Sequence, residues 1–391
     1  MSFFRDLNLS AATAGFVAVL VGFTSSVAIV FQAALAFGAT PELITSWMWA
    51  LGLGMGLCSA IPSLVLKQPV MVAWSTPGAA VLATAGLAGG FTMPQAVGAF
   101  MACAALITLA GVTGWFERVM NRIPVAIASA LLAGVLARFG LQAFEAAQTA
   151  LPLVGLMLLG YLMARRALPR YAVPITLAVG VAYVVFNGQF KQGTVALELA
   201  RPIFTAPEFS LSAMVSLALP LFIVTMASQN LPGVAAIRAA GYDMPISKII
   251  TLTGVATLVL APFGGFALNL SAITAAICMG EEAHADRTKR YTAAVTCGAI
   301  YVVIGLFGAA VTGLLLAFPR ELVMAIAGIA LLGSIGSGLH TALKDDAHRE
   351  AALITFLVTL SGVSLAGIGS AFWGVVVGAL ALFVQQVKIR H

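Results

Sequence analysis

The stretch Gln68–Gly86, QPVMVAWSTPGAAVLATAG, interrupts a series of long apolar segments. Up to Trp74, β-branched and aromatic residues alternate with others and favour extended backbone. Thr76 is a suitable N-cap and Pro77 suits the first helical position, so a helix is expected to start there. It would run to about Ala88, roughly 12 residues or about 18 Å, against a hydrocarbon core of about 30 Å. The helix must therefore begin near the middle of a bilayer.

The composition makes the rest of the chain a polytopic membrane protein. Of 391 residues, 61% are hydrophobic and 9% are charged, whereas soluble domains carry about 25% charged residues. Apolar runs recur from Ala11 to Val384 and leave no room for a soluble domain. The first run, 11–37, is longer than the apolar part of a signal peptide and is interpreted as a retained span. The four cysteines lack CxxC spacing and are interpreted as small core residues.

The apolar segments also predict a topology. Cut at about 20 residues each, they give about fourteen elements. These elements are 11–37, 43–66, 69–88, 94–115, 122–141, 149–166, 171–187, 211–230, 246–260, 262–280, 291–317, 320–342, 350–367 and 370–387. With both termini in the cytoplasm, most of the 20 Lys and Arg residues face inward. The basic residues expected on the outside are Arg138, Lys191, Arg201 and Arg320. The positive charge therefore reflects topology and does not indicate a nucleic-acid partner.

The chain repeats itself weakly. Val125–Gly140, VAIASALLAGVLARFG, aligns with Met324–Leu339, MAIAGIALLGSIGSGL, about half the chain further on. The opening stretch has a counterpart at nearly the same shift, Ala261–Gly280, APFGGFALNLSAITAAICMG. Two interrupted segments at corresponding places in two halves point to a transporter binding site. About fourteen elements divide into seven plus seven, and an odd number per half inverts the second half in the membrane.

Two half-helices that meet near the midplane would form an anion site. Their first amides lack partners and carry the positive end of the helix dipole. For the second helix, Asn269 or Ser271 is the expected cap. Every Asp, Glu and His falls in a loop or at a helix end, so the intramembrane carboxylate typical of cation transporters is missing from the pattern. A kinked full-length span remains the alternative for each segment.

At these residues the sequence resembles the benzoate:proton symporter (BenE) family, over essentially the whole chain. VAWSTPG (Val72–Gly78) resembles the third element of that fold and GGFALNLS (Gly264–Ser271) the tenth. The family is similar to the nucleobase/ascorbate and sulfate transporter superfamily. The resemblance implies an all-α polytopic fold of about fourteen elements as a 7+7 inverted repeat, with core and gate domains that rock against each other. It also implies a bacterial inner (plasma) membrane location, no cofactor, no enzymatic activity and, by analogy, a homodimer.

The resemblance assigns each half to two domains. Residues 1–116 and 211–318 would form the core domain, from the first and second repeats. Residues 117–210, which include the outer linker, and residues 319–391 would form the gate domain.

This chain departs from the nucleobase carriers at their substrate glutamates. Leu268 occupies the position of the glutamate that precedes the asparagine, here Asn269. The eighth element, IVTMASQNLPG (Ile223–Gly233), places Gln229 and Asn230 where a second glutamate is expected. The departures argue against a nucleobase and are compatible with an aromatic carboxylate as the substrate. The family's coupling ion is a proton, which would travel with the substrate or use a helix-end residue such as Glu145 or Glu42.

The candidate substrate site combines amides, hydroxyls and aromatic rings. Amides at 76–78 and 269–271 would receive the carboxylate, side chains of the first and eighth elements would add hydrogen bonds, and Trp74 and Phe266 would flank the ring. Gly264 and Gly265 would let the ring approach the backbone. The candidate residues are Thr24, Ser25, Ser26, Trp74, Ser75, Thr76, Pro77, Gly78, Gln229, Asn230, Gly264, Gly265, Phe266, Leu268, Asn269 and Ser271.

Plainer interpretations stay open for several of these residues. Trp74 and the serines could serve helix packing, and Gln229 and Asn230 could make structural hydrogen bonds. On the same fold the cargo could be a nucleobase, a dicarboxylate or an inorganic anion, and an uncoupled anion carrier or channel would have the same sequence features. A membrane enzyme would need clustered His, Asp or Cys at membrane depth, which the sequence lacks.

Overall fold

The computed structural model describes residues 3–24, 26–168, 171–190, 198–308, 310, 317–363, 365 and 370–386. Almost all regular structure is helical. The first half contains α1 (Phe3–Asp6), α2 (Leu9–Thr24), α3 (Val27–Ala36), α4 (Pro41–Leu66), β1 (Val72–Trp74), α5 (Thr76–Gly89), α6 (Met93–Val112), α7 (Trp115–Met120), α8 (Val125–Glu145), α9 (Ala147–Ala167) and α10 (Ala172–Phe186). The second half contains α11 (Leu211–Ala239), α12 (Ile246–Leu260), β2 (Leu268–Leu270), α13 (Ile273–Met279), α14 (Tyr291–Leu306), α15 (Arg320–Leu343), α16 (Arg349–Ser361) and α17 (Ser370–Gln386).

The chain is a multi-pass membrane protein. Within the described residues, 7 helices are long and apolar enough to cross a bilayer. They are α4, α6, α8, α9, α11, α12 with the 3-10 turn that follows it, and α15. The helices α2, α10 and α17 are apolar but shorter.

The first apolar segment, 11–37, is not one continuous helix. Helix α2 ends at Thr24 and α3 begins at Val27. Between them Ser26 has φ −137° and ψ −10°, outside helical values, and its hydroxyl donates to the Gly22 carbonyl at 3.0 Å. The interruption falls where the first segment passes the strand β1.

The two unusual segments are extended, as predicted, and they pair with each other. Strand β1 runs antiparallel to β2, with Ala73 opposite Asn269. The Ser75 N–H donates to the Ala267 carbonyl at 3.0 Å, and the Ser271 N–H donates to the Met71 carbonyl at 3.0 Å. Hydrogen-bonded pairs alternate along an antiparallel ladder, so Ala73 and Asn269 also form a hydrogen-bonded pair. The sequence predicted two extended pieces but not that they form one sheet.

Amides that point away from this sheet donate to side chains of neighbouring elements. At membrane depth no water is available to replace such a partner, and an unsatisfied amide would cost several kcal/mol. The four bonds are Val70 N to Ser63 Oγ at 2.9 Å, Val72 N to Ser59 Oγ at 3.0 Å, Leu268 N to Thr257 Oγ1 at 3.1 Å and Leu270 N to Asn230 Oδ1 at 2.9 Å. The acceptors come from α4 for β1, and from α11 and α12 for β2.

A short helix follows each strand, but the predicted caps are wrong. Ser75, not Thr76, is the N-cap of α5: its Oγ accepts from the Gly78 N–H at 3.1 Å, which makes Thr76 the first helical residue. Helix α13 starts at Ile273 with no side-chain cap. The N-cap position is Ala272, so neither Asn269, which lies in β2, nor Ser271 is the cap.

Helix α11 widens into two π-helical turns, Met214–Ala218 and Met226–Asn230. Each turn lies just before a proline, Pro220 and Pro232. Proline has no N–H and its ring clashes with the carbonyl four residues earlier, so a wider turn upstream relieves both problems. The second π-turn places Asn230 against β2.

Close helix contacts support this arrangement, and Gly52 and Gly56 form a packing face on α4. A Cβ on Gly52 would lie 2.6 Å from the Gly305 Cα, and one on Gly56 would lie 2.6 Å from the Gly298 carbonyl oxygen. Helices α4 and α14 therefore touch backbone to backbone, which small residues permit in membranes. Helices α6 and α12 also pack closely, as do α8 and α15.

Replacing Thr257 with Val tests the hydroxyl support of the sheet. The variant leaves the Leu268 N–H without an acceptor, so we expect a loss of about 1–3 kcal/mol in the free energy of unfolding, measured by thermal unfolding in detergent. Thr253→Val is the matched control, because that buried hydroxyl donates to the Ile250 carbonyl of its own helix. Equal destabilisation by the two variants would contradict the role of Thr257.

Candidate functional site

A cavity of about 1230 Å³ lies beside the start of α5. One group of lining residues comes from α2, β1, α5, the second π-turn of α11 and the start of α13; a second group comes from α8, α9 and the start of α15. Ligand pockets commonly measure on the order of 300–1,000 Å³, so this cavity can hold a small organic molecule together with water. The predicted site residues that line it are Ser26, Trp74, Thr76, Pro77, Gln229 and Ser271.

Trp74 forms an aromatic wall of the cavity and is fixed in orientation. Its indole Nε1 donates to Ser26 Oγ at 2.9 Å, and its ring centroid lies 5.4 Å from that of Phe23. Only 3% of the residue is exposed. The break between α2 and α3 thus places Ser26 where it can hold the tryptophan.

The start of α5 has fewer unpaired N–H groups than a helix N-terminus without a side-chain cap. The Gly78 N–H is taken by Ser75 Oγ, which also accepts from Thr225 Oγ1 at 2.9 Å, and Pro77 has no N–H. Among the described residues, Thr76 therefore keeps the first-turn N–H without an acceptor, next to its own hydroxyl. Ser75 and Gly78 are buried behind the cavity wall and act as the cap.

The π-turn separates the roles of Gln229 and Asn230. Gln229 is half-buried and lines the cavity. Asn230 is fully buried; its Oδ1 accepts from Leu270 N and its Nδ2 donates to Met226 Sδ at 3.1 Å. Asn230 therefore supports β2, and its amide group is already occupied.

The residues before β2 lie outside the cavity lining. Phe266 is fully buried, with its ring centroid 5.8 Å from that of Trp47 and 6.0 Å from that of Phe100. Gly264 has φ +96°, and a Cβ there would lie 1.9 Å from Trp47 Cδ1. A ring does approach this backbone, but it belongs to Trp47 of the same chain.

The remaining predicted residues are placed as follows. Leu268 is fully buried and packs on Gly54, where an added Cβ would lie 2.6 Å from Leu268 Cδ1. A Cβ on Gly265 would meet the Leu260 backbone at 3.0 Å. Asn269 is fully buried, its Nδ2 donates to the Ala267 carbonyl at 3.2 Å, and its Oδ1 has no partner among the described residues. Thr24 ends α2, and Ser25 lies outside the described residues.

The structure adds lining residues that the sequence reasoning missed. They are Phe139, Gln142, Thr149, Gln189, Thr274, Tyr301, Phe318, Arg320 and Glu321, among others. Several share one helix face, since Phe139 and Gln142 are three residues apart on α8. The sequence shows that these two residues share a face of α8. Only the packing of α8 in the structure shows that this face lines the cavity.

The chemistry of the cavity differs between the two groups of lining residues. Around the half-helices the polar groups are neutral, from Thr76, Gln229, Ser271 and nearby hydroxyls. Among the described lining residues, the charged side chains are Arg320 and Glu321, both in the first turn of α15. The site can therefore offer hydrogen-bond donors and aromatic surface at depth and one cation at the start of α15.

A helical membrane fold with two interrupted segments beside a ligand-sized cavity defines a membrane transporter. The sequence matches the family described as benzoate membrane transport protein (BenE) over residues 5–384, and the chain belongs to this family. It is 47% identical over 374 residues to the inner membrane protein YdcO of Escherichia coli, covering 96% of this chain and 95% of that protein. It is 41% identical over 380 residues to a benzoate membrane transport protein of Acinetobacter baylyi, covering 97% and 96%.

The fold also has a solved counterpart. The structure of SLC26A9 is similar with a TM-score of 0.50 at 11% sequence identity, covering 94% of this chain and 67% of that one. At this identity the similarity concerns the fold alone.

Gly264→Ala tests whether this glycine serves packing. The added Cβ would collide with Trp47 and the residue would keep a left-handed φ, so we expect destabilisation by about 2–4 kcal/mol, measured as a lower unfolding temperature in detergent. Gly38→Ala is the control: Gly38 has φ +75° with nothing within 4 Å of an added Cβ, so only the cost of the backbone conformation, about 1 kcal/mol, should appear. Equal losses would mean that the Trp47 contact is unimportant.

Proposed function

We propose that this protein imports an aromatic carboxylate of the benzoate type together with a proton, by alternating access between a core and a gate domain. The observation that carries the proposal is the cavity beside the two half-helices, with a fixed tryptophan and neutral hydrogen-bond donors, in a chain of the benzoate transport family. An aromatic acid has two parts, and the cavity offers a partner for each.

The ring of the substrate would rest against Trp74. The indole is held by Ser26, so it presents a fixed face at little cost in conformational entropy. The carboxylate would be received by the Thr76 N–H and hydroxyl at the positive end of the α5 dipole, with Gln229 and Ser271 beside them. This site contains fewer backbone amides than the sequence predicted, because the other predicted amides already donate hydrogen bonds in the helix cap and the sheet.

A nucleobase is a weaker candidate as substrate. A nucleobase needs acceptors for its ring N–H groups, and Leu268 stands where nucleobase carriers are expected to have glutamate. Here Leu268 is buried against Gly54 of α4 and does not line the cavity. Other small anions on the same fold, and an uncoupled carrier or channel, remain the competing functions that the experiment below separates.

The domain division assigns 1–116 and 211–318 to the core, and 117–210 and 319–391 to the gate. The packing supports this division, because α4 lies along α14 and α6 along α12 within the proposed core, while α8 lies along α15 within the proposed gate. If the two halves of the chain are exchanged, the contact between α4 and α14 corresponds to that between α12 and α6, and the contact between α8 and α15 corresponds to itself. A 7+7 inverted repeat requires this correspondence. The cavity lies between the two groups, where rocking would open and close it.

The proposed orientation places both termini in the cytoplasm of a bacterium and the protein in its inner membrane, with a homodimer as the assembly suggested by family analogy. The cavity then opens to the outside, since it is lined by the predicted outer ends of α8, α9 and α15. Glu42 and Glu145 are exposed and do not line the cavity, which favours co-transport of the proton with the substrate over either of them as its carrier.

Uptake by purified protein in proteoliposomes tests the proposal. We expect labelled benzoate to accumulate when the lumen is made alkaline, and unlabelled benzoate, but neither uracil nor sulfate, to compete. Competition by uracil would assign the protein to nucleobases. Equal uptake with and without the pH gradient would mean an uncoupled carrier or a channel.

An ion pair joins the predicted cytoplasmic end of α9 to the loop that follows α13. Arg165 Nη1, near the end of α9, donates to Glu282 Oε1 at 2.7 Å and to the Tyr161 hydroxyl at 2.8 Å. Only 13% of the Glu282 side chain is exposed, because it packs on Gly333 of α15. Glu282 follows α13 in the proposed core, whereas α9 and α15 belong to the proposed gate. The pair must therefore break before the site can open inward.

Glu282→Gln should favour the inward-open state. The pair is worth about 1 kcal/mol because 49% of the Arg165 side chain is exposed, so the population should shift about fivefold. The measurement is amide hydrogen exchange across 280–286 and the end of α9, which we expect to accelerate. Asp346→Asn is the control, since it removes the exposed Arg349–Asp346 pair elsewhere. Identical exchange in both variants would contradict a closing role for Glu282.

A further inference from the structure

Arg320 occupies an unusual place for a basic side chain. It is the first residue of α15, after Pro319, and it lines the same cavity as the starts of the two half-helices. The positive end of a helix dipole, equivalent to about half an elementary charge, lies at this terminus. A cation there is unfavourable by about 0.3–1 kcal/mol, and helix starts normally carry acidic residues. The helix itself therefore gives no reason for the guanidinium.

No protein anion among the described residues pairs with Arg320. The ion pairs there join other residues: Arg165 with Glu282, Lys289 with Asp286, His348 with Asp345 and Arg349 with Asp346. Glu321 is the adjacent residue and also lines the cavity, but neighbours in sequence do not face each other on a helix. Within the described part of the chain the guanidinium has no protein acceptor, so its five donors are available to water or to a ligand.

The surroundings of Arg320 suit an aromatic acid. Phe318 and Phe139 line the same cavity, as does Gln142 of α8. Arg320 is exposed within the cavity rather than buried, so an anion can reach it without the large desolvation cost of a buried charge. A positive side chain and a positive helix end on one wall of a cleft raise the local concentration of anions.

We propose that Arg320 is an entry site for the substrate carboxylate, which it attracts into the cavity and orients before the carboxylate reaches Thr76. This inference rests on the proposed function, since it assumes a carboxylate substrate. Glu321 opposes the attraction and sets its strength. Arg320 is thus a specificity-determining residue that selects anions over neutral aromatic molecules.

Benzoate binding by purified variants tests the inference, with thermal stabilisation in detergent at low and at high ionic strength as the measurement. Arg320→Gln should weaken benzoate binding about fivefold to tenfold at low ionic strength, and the difference from the unmodified protein should shrink at high ionic strength. Arg320→Lys should restore most of the affinity. Glu321→Gln should tighten binding about twofold, because it removes the repulsion.

Arg201→Gln is the matched control. Arg201 is also expected on the outside and is exposed, but it does not line the cavity, so its loss should leave binding unchanged. The unfolding temperature without benzoate reports any structural effect of each variant. The inference would be overturned if the Arg320→Gln variant bound benzoate as tightly as the unmodified protein does. It would also be overturned if the substitution weakened benzoate binding equally at both ionic strengths. Failure of the unmodified protein to bind benzoate would instead overturn the proposed function.

Discussion

The structure depends on the need to satisfy backbone amides where no water is present. Two segments become extended inside the membrane, and each would leave a row of N–H and C=O groups unpaired. They pair with each other as β1 and β2, and the amides that face outward donate to hydroxyls of α4 and α12 and to the Asn230 side chain. The strands and the helices that supply their acceptors therefore fix each other's positions. The sheet also joins the two halves of the chain at their centre.

The same constraint limits what the site can use. A hydrogen bond that stabilises the sheet or caps α5 is not available to a substrate, so Asn230, Ser75 and Gly78 belong to the scaffold. What remains for a ligand is the Thr76 N–H, neutral side chains such as Gln229, and the face of Trp74. Because Ser75 and Asn230 fix the start of α5 and the strand β2 by these hydrogen bonds, the groups left for a ligand are held in place before it arrives, which lowers the entropic cost of binding.

Local signals predicted the local structure. The apolar segments predicted the helices, and the alternation of residues next to proline predicted the extended pieces. Long-range contacts could not be predicted from the sequence. No residue near Trp74 indicates that Leu268 lies opposite it in the sheet. The residues around Phe266 likewise do not indicate that it packs with Trp47 and Phe100 instead of facing the cavity. The lining residues of α8, α9 and α15 were missed for the same reason, because the face that a membrane helix presents depends on its neighbours.

The distribution of charge across the cavity fits the needs of a carrier. A guanidinium beside Trp74 would bind a carboxylate strongly in a region of low dielectric constant, and release to the other side would be slow. Neutral donors at depth bind an anion moderately, and transport requires binding that is favourable enough to admit the ligand and weak enough to release it. Arg320, at the predicted outer end of α15, can then raise the rate of entry and add a moderate attraction to the bound state, because water in the opening screens its field. A moderate total affinity thus follows from the neutral donors around the half-helices together with the screened charge at the start of α15.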